Sequence, residues 1–242
     1  MSLGMFCAVP LPFHIWDDAC MSLMLPCLPL VGALLGAAWW GLAALLAACG
    51  VHTVLAAAAV AAAPSLLTGF LHLDGYMDAS DAILSRRGYE EKLKILKDPH
   101  KGAFSMIMLT LLFMLQYAAA YTVLDLSKNP APLIFIAAAP RCCASASLLF
   151  LNVMPQSGYV NMFRRDTGAR HKIFVLAVFG AAVAASFAAA GLPGLISAAS
   201  ACAGFICAMA YSYKEFKGVS GDLAGFSIVI GELCGLIALG VA

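Results

Sequence analysis

Long apolar stretches separated by short polar ones organise the chain. No Asp, Glu, Lys or Arg occurs from Ala19 to Leu73, a length that holds two membrane-crossing helices with a break near Gly50 to His52. A second uncharged stretch covers Gly102 to Leu124. Pro130 to Asn152 is interrupted only by Arg141, and Ile173 to Tyr213 is divided by Gly191, Pro193 and Gly194. A last stretch follows Asp222 and contains Glu232. Because roughly 20 apolar residues cross a bilayer as a helix, the pattern predicts an all-α fold. That fold is a polytopic transmembrane helix bundle of about seven spans, with six to eight as the range.

Composition narrows this further. Of the 242 residues 63% are hydrophobic and 11% charged, the net charge is +1 and the mean hydropathy is +0.92. A soluble domain carries about 25% charged residues, and disorder needs low hydrophobicity with high net charge, so both classes are excluded. The bulk charge also argues against nucleic acid as a partner. The expectation is one integral-membrane domain over residues 1–242, with the lipid bilayer as its solvent. The first 27 residues lack a basic start and carry Asp17 and Asp18, so they are read as retained rather than as a signal peptide. Nine cysteines fall mostly in the apolar stretches with no metal-binding spacing, and are read as small packing residues.

The basic residues set an orientation. Arg86, Arg87, Lys92, Lys94, Lys97 and Lys101 follow the second stretch, Arg164, Arg165, Arg170 and Lys172 the fourth, and Lys214 and Lys217 the sixth. Only Lys128 and Arg141 fall elsewhere. Basic loops stay on the cytoplasmic side, which places the N-terminus in the cytoplasm, the C-terminus outside, and the protein in the cell (inner) membrane.

Chemistry concentrates in one segment. Asp74, Asp78 and Asp81 are spaced i, i+4 and i+7, so on a helix their carboxylates share one narrow face. Like charges on one stripe repel, and each is costly against hydrocarbon. A helix start beside a membrane explains one acidic residue through the helix dipole, but three ask for a counter-charge. Hard oxygen donors without paired His or Cys favour Mg2+, with Mn2+ as a second choice. His72, beside them, suits a hydrogen-bonding role around the site as well as that of a ligand, and either better than that of a general base. Tyr89 to Lys97 reads as a short amphipathic helix with Glu90 placed to pair with Lys94. Residues 74–102 thus form a cytoplasmic catalytic loop containing that helix. Asp98, Lys97 and Lys101 in the turn before Gly102 add a fourth carboxylate and two cations, a combination suited to a diphosphate. Arg141, in or at the end of a span, is either a functional group or a side chain snorkelling to the interface, and Asp222 opens the last span on the same side as Asp74.

The run from His72 to Asp81, H-L-D-G-x-x-D-x-x-D, followed by Lys97-Asp98 and Gly102, resembles the cobalamin-5'-phosphate synthase family, also called adenosylcobinamide-GDP ribazoletransferases. Phe6, Pro10, Pro12, Pro29-Leu30-Val31-Gly32 and Gly218-Val219-Ser220-Gly221-Asp222 are similar to further family segments, in order along nearly the whole chain. Leu96, Pro140 and the absence of a Gly near Ser105 depart from the family pattern. The resemblance implies a late step of cobalamin biosynthesis. In it, adenosylcobinamide-GDP reacts with alpha-ribazole or alpha-ribazole 5'-phosphate, giving adenosylcobalamin or its 5'-phosphate and GMP. On this reading Asp74, Asp78 and Asp81 hold metal, Asp98 or Asp222 completes the shell or acts as base, and Lys97, Lys101 and Arg141 contact phosphate. A CDP-alcohol phosphotransferase is the nearest alternative, but its Asp-Gly pair precedes an Ala-Arg dipeptide absent here. A membrane carrier is a more distant one, since the charges gather at one face rather than at the midplane.

Overall fold

The structure, a computed structural model, describes residues 1–8, 10 and 17–242; Pro12 lies outside them. In hydrocarbon every backbone N–H and C=O must be satisfied within the protein, and the apolar stretches accordingly fold as helices. In chain order these are α1 (Ser2–Phe6), a 3₁₀ turn (Asp18–Leu23), α2 (Leu28–Ala48), α3 (Thr53–Leu67), α4 (Leu71–Leu84), α5 (Tyr89–Ile95), α6 (Ala103–Asp125), α7 (Leu133–Phe150), α8 (Gly158–Arg164), α9 (Ala169–Phe216) and α10 (Gly221–Val241). Among the described residues there is no strand, only an isolated parallel bridge between Val153 and Val219.

Five helices, α2, α6, α7, α9 and α10, are long and apolar enough to cross a membrane, or six spans if α3 and α4 form one broken span. The sequence count of about seven treats α3 as a full span and divides the α9 stretch in two. With 15 residues α3 is short of the ~20 that a span requires. Helix α9 runs for 48 residues, but Gly191 inside it is non-helical (φ 59°, ψ −141°), at the break expected from Gly191, Pro193 and Gly194. The protein is a multi-pass membrane protein. Leu55, Met114, Leu126, Leu176 and Ile206 face outward, as lipid contact requires.

Helix α10 is the axis of the bundle: 78% of its most apolar window is buried, against 11% for α9. It packs on α9, α4, α7 and α6, while α2 packs on α7 and α3 on α6. Between α3 and α4 the chain bends by 89°. Gly69 and Phe70, at φ 58° and 64°, make that bend. The left-handed region is free for glycine but costs a residue such as Phe70 about 1–2 kcal/mol. The main-chain N–H of Ala8 donates to the Leu67 carbonyl at 2.8 Å, tying the N-terminal segment to the same corner. The bend swings α4 onto α10. At their crossing a Cβ on Gly75 would lie 2.7 Å from the Asp222 carbonyl oxygen, and one on Gly225 would lie 3.2 Å from the His72 backbone.

Candidate active site

The aspartate face of α4 looks onto the turn that opens α6. Lys101 Nζ lies 2.7 Å from Asp74 Oδ1 and also pairs with Asp78 Oδ1. One ammonium thus answers two carboxylates a helical turn apart. Asp74 is 62% exposed at its side chain and Asp78 only 14%, so the pair stands at the edge of the bundle with one member open to solvent. Asp81, the next turn along, accepts from the Gly102 N–H at 2.5 Å and the Ser105 N–H at 3.3 Å. Helix N-termini leave such donors unpaired, and Gly102, the N-cap of α6, has no side chain to meet them. A Cβ there would collide with the Asp81 carboxylate, so the glycine is what lets a neighbouring helix supply the cap.

The crossing of α4 over α10 brings Asp222 within electrostatic reach of Asp74, Asp78 and Lys101. Its position is held from the other side as well. Ser220 Oγ caps α10 by accepting from the Leu223 N–H at 3.2 Å, and the Val219 N–H and carbonyl bond Asn152 and Met154 at 2.9 Å each. A cavity of about 190 Å³, lined by Lys97, Gln156, Ser157, Tyr159 and Asp222 among others, opens beside the cluster. Lys92 pairs with Glu215, and Lys217 stands 4.8 Å over the Tyr89 ring, which docks α5 against the end of α9. Among the described residues no ion pair joins Glu90 to Lys94. Arg87 and Glu91 form the exposed i,i+4 pair instead, at 3.8 Å.

Asp74, Asp78, Lys101, Asp222 and Lys97 therefore meet in one region. Asp98 and Arg141 do not join them, and His72 meets the group only through a cavity that it lines together with Asp222. Asp98 is turned to His100, accepting from its N–H and facing its Nδ1, both at 2.9 Å. The backbone bond, then the ring, hold the Asp98 carboxyl below its ordinary pKa. Arg141, 1% exposed, lies in the bundle core, its Nη1 2.6 Å from Glu232 Oε1 and from the Ala137 carbonyl. His72 is buried against Gly225 with no hydrogen-bond partner for Nε2 among the described residues. For Lys101, burial pulls the pKa down, but the hydrogen bonds to Asp74 and Asp78 outweigh it and raise the value above that of an ordinary lysine. Of the cysteines, Cys142 and Cys202 are buried while Cys49 and Cys207 are exposed.

Among the described residues no three His, Cys, Asp or Glu side chains are grouped as a metal site, and Asp81 is engaged at α6 rather than with Asp74 and Asp78. The donors still fit magnesium. That ion takes one or two carboxylates and fills its shell with water and phosphate oxygens, and Asp74 and Asp78 already converge on one cation. Sequence reasoning missed Gln156, Ser157 and Tyr159, which lie in an irregular segment and α8 with no chemical pattern of their own. Glu232 as the partner of Arg141 carries one signal: two opposite ionisable groups in separate apolar spans each need the other.

Fold and site define a membrane-embedded helical protein with a carboxylate–lysine cluster at one edge of its bundle, suited to phosphate chemistry. The model of the family described as cobalamin-5-phosphate synthase matches residues 1–240, and the chain belongs to that family. It is similar to an adenosylcobinamide-GDP ribazoletransferase of Clostridium perfringens, 37% identical over 242 residues, covering 100% of this chain and 96% of the relative. The protein of the same name from Clostridium botulinum is 34% identical over 238 residues (98% and 94%), and that of Stutzerimonas stutzeri 31% over 212 residues (87% and 84%). No solved structure matches.

Proposed function

We propose that the protein joins adenosylcobinamide-GDP to alpha-ribazole, or to its 5'-phosphate, yielding adenosylcobalamin, or its 5'-phosphate, with release of GMP. The observation that carries this reading is the family match along nearly the entire chain, and the convergence of Asp74, Asp78 and Lys101 supports it. A ribose hydroxyl attacks the phosphorus nearer cobinamide. The new O–P bond forms as the P–O bond of the diphosphate bridge breaks, and GMP leaves with the bridging oxygen. Such a displacement is catalysed by positioning and charge compensation. Lys101 neutralises phosphate oxygens beside Asp74 and Asp78, and Lys97 contributes a second cation from the adjoining cavity. Asp222 takes the hydroxyl proton, being a carboxylate at the cluster that holds no ion-pair partner among the described residues. Asp74 and Asp78 would hold Mg2+, which when bound supplies charge stabilisation of the diphosphate and the departing phosphate. Arg141 and Asp98 support the site indirectly, the first by fixing α7 to α10 and the second by shaping the turn that presents Lys97 and Lys101.

The site faces the cytoplasm in this reading, with residues 74–102 as the catalytic segment of a protein in the cell (inner) membrane. The test is GMP release from membranes containing the protein, given adenosylcobinamide-GDP, alpha-ribazole and Mg2+. Folded protein that releases no GMP would overturn the reading.

A further inference from the structure

A second cavity, of about 170 Å³, adjoins the first at Tyr159 and Asp222 and lies among α1, α2, α4, α7, α8 and α10. Phe6, Leu25, Leu148 and Phe163 are among its walls, and His72, Tyr159 and Asp222 are its polar side chains. A cavity of about 150 Å³ with such walls stays dry and admits a benzene ring, so this one has the size for a flat aromatic group and none for a corrin ring. His72 is only 7% exposed and its Nε2 has no hydrogen-bond partner among the described residues. A buried polar atom left unpaired is unfavourable, and a ligand that pairs it removes the penalty. Asp222 lines this cavity and also lies within electrostatic reach of Asp74, Asp78 and Lys101. A ring held here therefore lies against Asp222, the residue that links this cavity to the carboxylate cluster.

We propose that this cavity binds the fused-ring base of the acceptor nucleoside, with His72 Nε2–H donating to its free ring nitrogen. The proposal rests on the transferase reading above. Alpha-ribazole carries a methylated benzimidazole, flat and apolar apart from one unsubstituted nitrogen, which matches largely apolar walls with one buried, unpaired donor. Guanine, the base of the leaving group, presents several donors and acceptors, and most would stay unpaired among Leu25, Leu148 and Phe163. A lipid acyl chain would use neither His72 nor Asp222. The base thus fixes the ribose beside Asp222, and the cavity determines which nucleoside is accepted.

Steady-state kinetics in nanodiscs with both substrates varied provide the test. Leu148→Trp fills the cavity and His72→Leu removes the donor; each is expected to raise KM for alpha-ribazole about tenfold or more while KM for adenosylcobinamide-GDP stays unchanged, since losing a shaped or hydrogen-bonded contact affects only the substrate that makes it. In the unmodified protein, free dimethylbenzimidazole is expected to compete with alpha-ribazole and not with adenosylcobinamide-GDP, a readout independent of how the variants fold. An unchanged KM for alpha-ribazole in folded Leu148→Trp, or a free base that does not compete, overturns the proposal and leaves the cavity to lipid. If the unmodified protein releases no GMP, the transferase reading fails separately. Equilibrium binding of labelled alpha-ribazole to wild type and Leu148→Trp then still decides the cavity: weaker binding by the variant supports it, and equal binding overturns it.

Discussion

Asp74, Asp78 and Asp81 carry one side chain on one helical face, yet their partners give them different work. Asp74 and Asp78 share Lys101, and replacing Asp78 with Ala is expected to lower kcat by about 100-fold or more, as for loss of a group that stabilises transition-state charge. Activity should be lost on treatment with a chelator and restored by Mg2+; GMP release measured before and after Mg2+ addition checks this. Asp81 caps α6 from outside, so Asp81→Ala is expected to cost about 1–2 kcal/mol of stability, read as a lower melting temperature of the solubilised protein. Arg141 and Glu232 behave differently again. Removing one partner of a buried pair leaves the other charge uncompensated, which costs about 3–5 kcal/mol, whereas replacing both with apolar residues of similar volume is close to neutral. Arg141→Ala should therefore melt well below wild type and the double variant Arg141→Met/Glu232→Leu near it.

At the scale of elements, the decisive feature is the crossing of α4 over α10. Gly75 and Gly225 let the two backbones approach, and the Asp222 carbonyl and the His72 backbone occupy the space a side chain would need. Overpacking a tight contact costs about 1–3 kcal/mol, and here it also pushes Asp222 away from Asp78. Gly225→Leu is expected to abolish GMP release even in the fraction that still folds, which activity per mole of monodisperse protein would report. The shared face of the three aspartates was legible from their spacing, because helical periodicity is local. The capping of α6 by Asp81 was not, since it depends on how two separate helices pack. The α9 break at Gly191 was legible too, as a Gly–Pro–Gly cluster disfavours a continuous helix in any context.

For the whole molecule, the uneven distribution of basic residues predicts the orientation. Reporter fusions should place the segments around Lys94, Arg165 and Lys217 in the cytoplasm and the C-terminus outside. A C-terminal reporter active only in the cytoplasm would contradict it. Membership of a multi-pass helical class follows from the sequence by itself, because uninterrupted apolar runs of helix-spanning length, without the short alternating segments of a barrel, satisfy their backbone hydrogen bonds in lipid as helices. The family resemblance rests likewise on residues contiguous in the chain. Tertiary structure alone decided that Asp81 caps α6 instead of joining Asp74 and Asp78 and that Arg141 spends its charge on Glu232. Those outcomes depend on which helices touch, and contacts between distant segments are set by packing geometry that no local pattern of residues encodes.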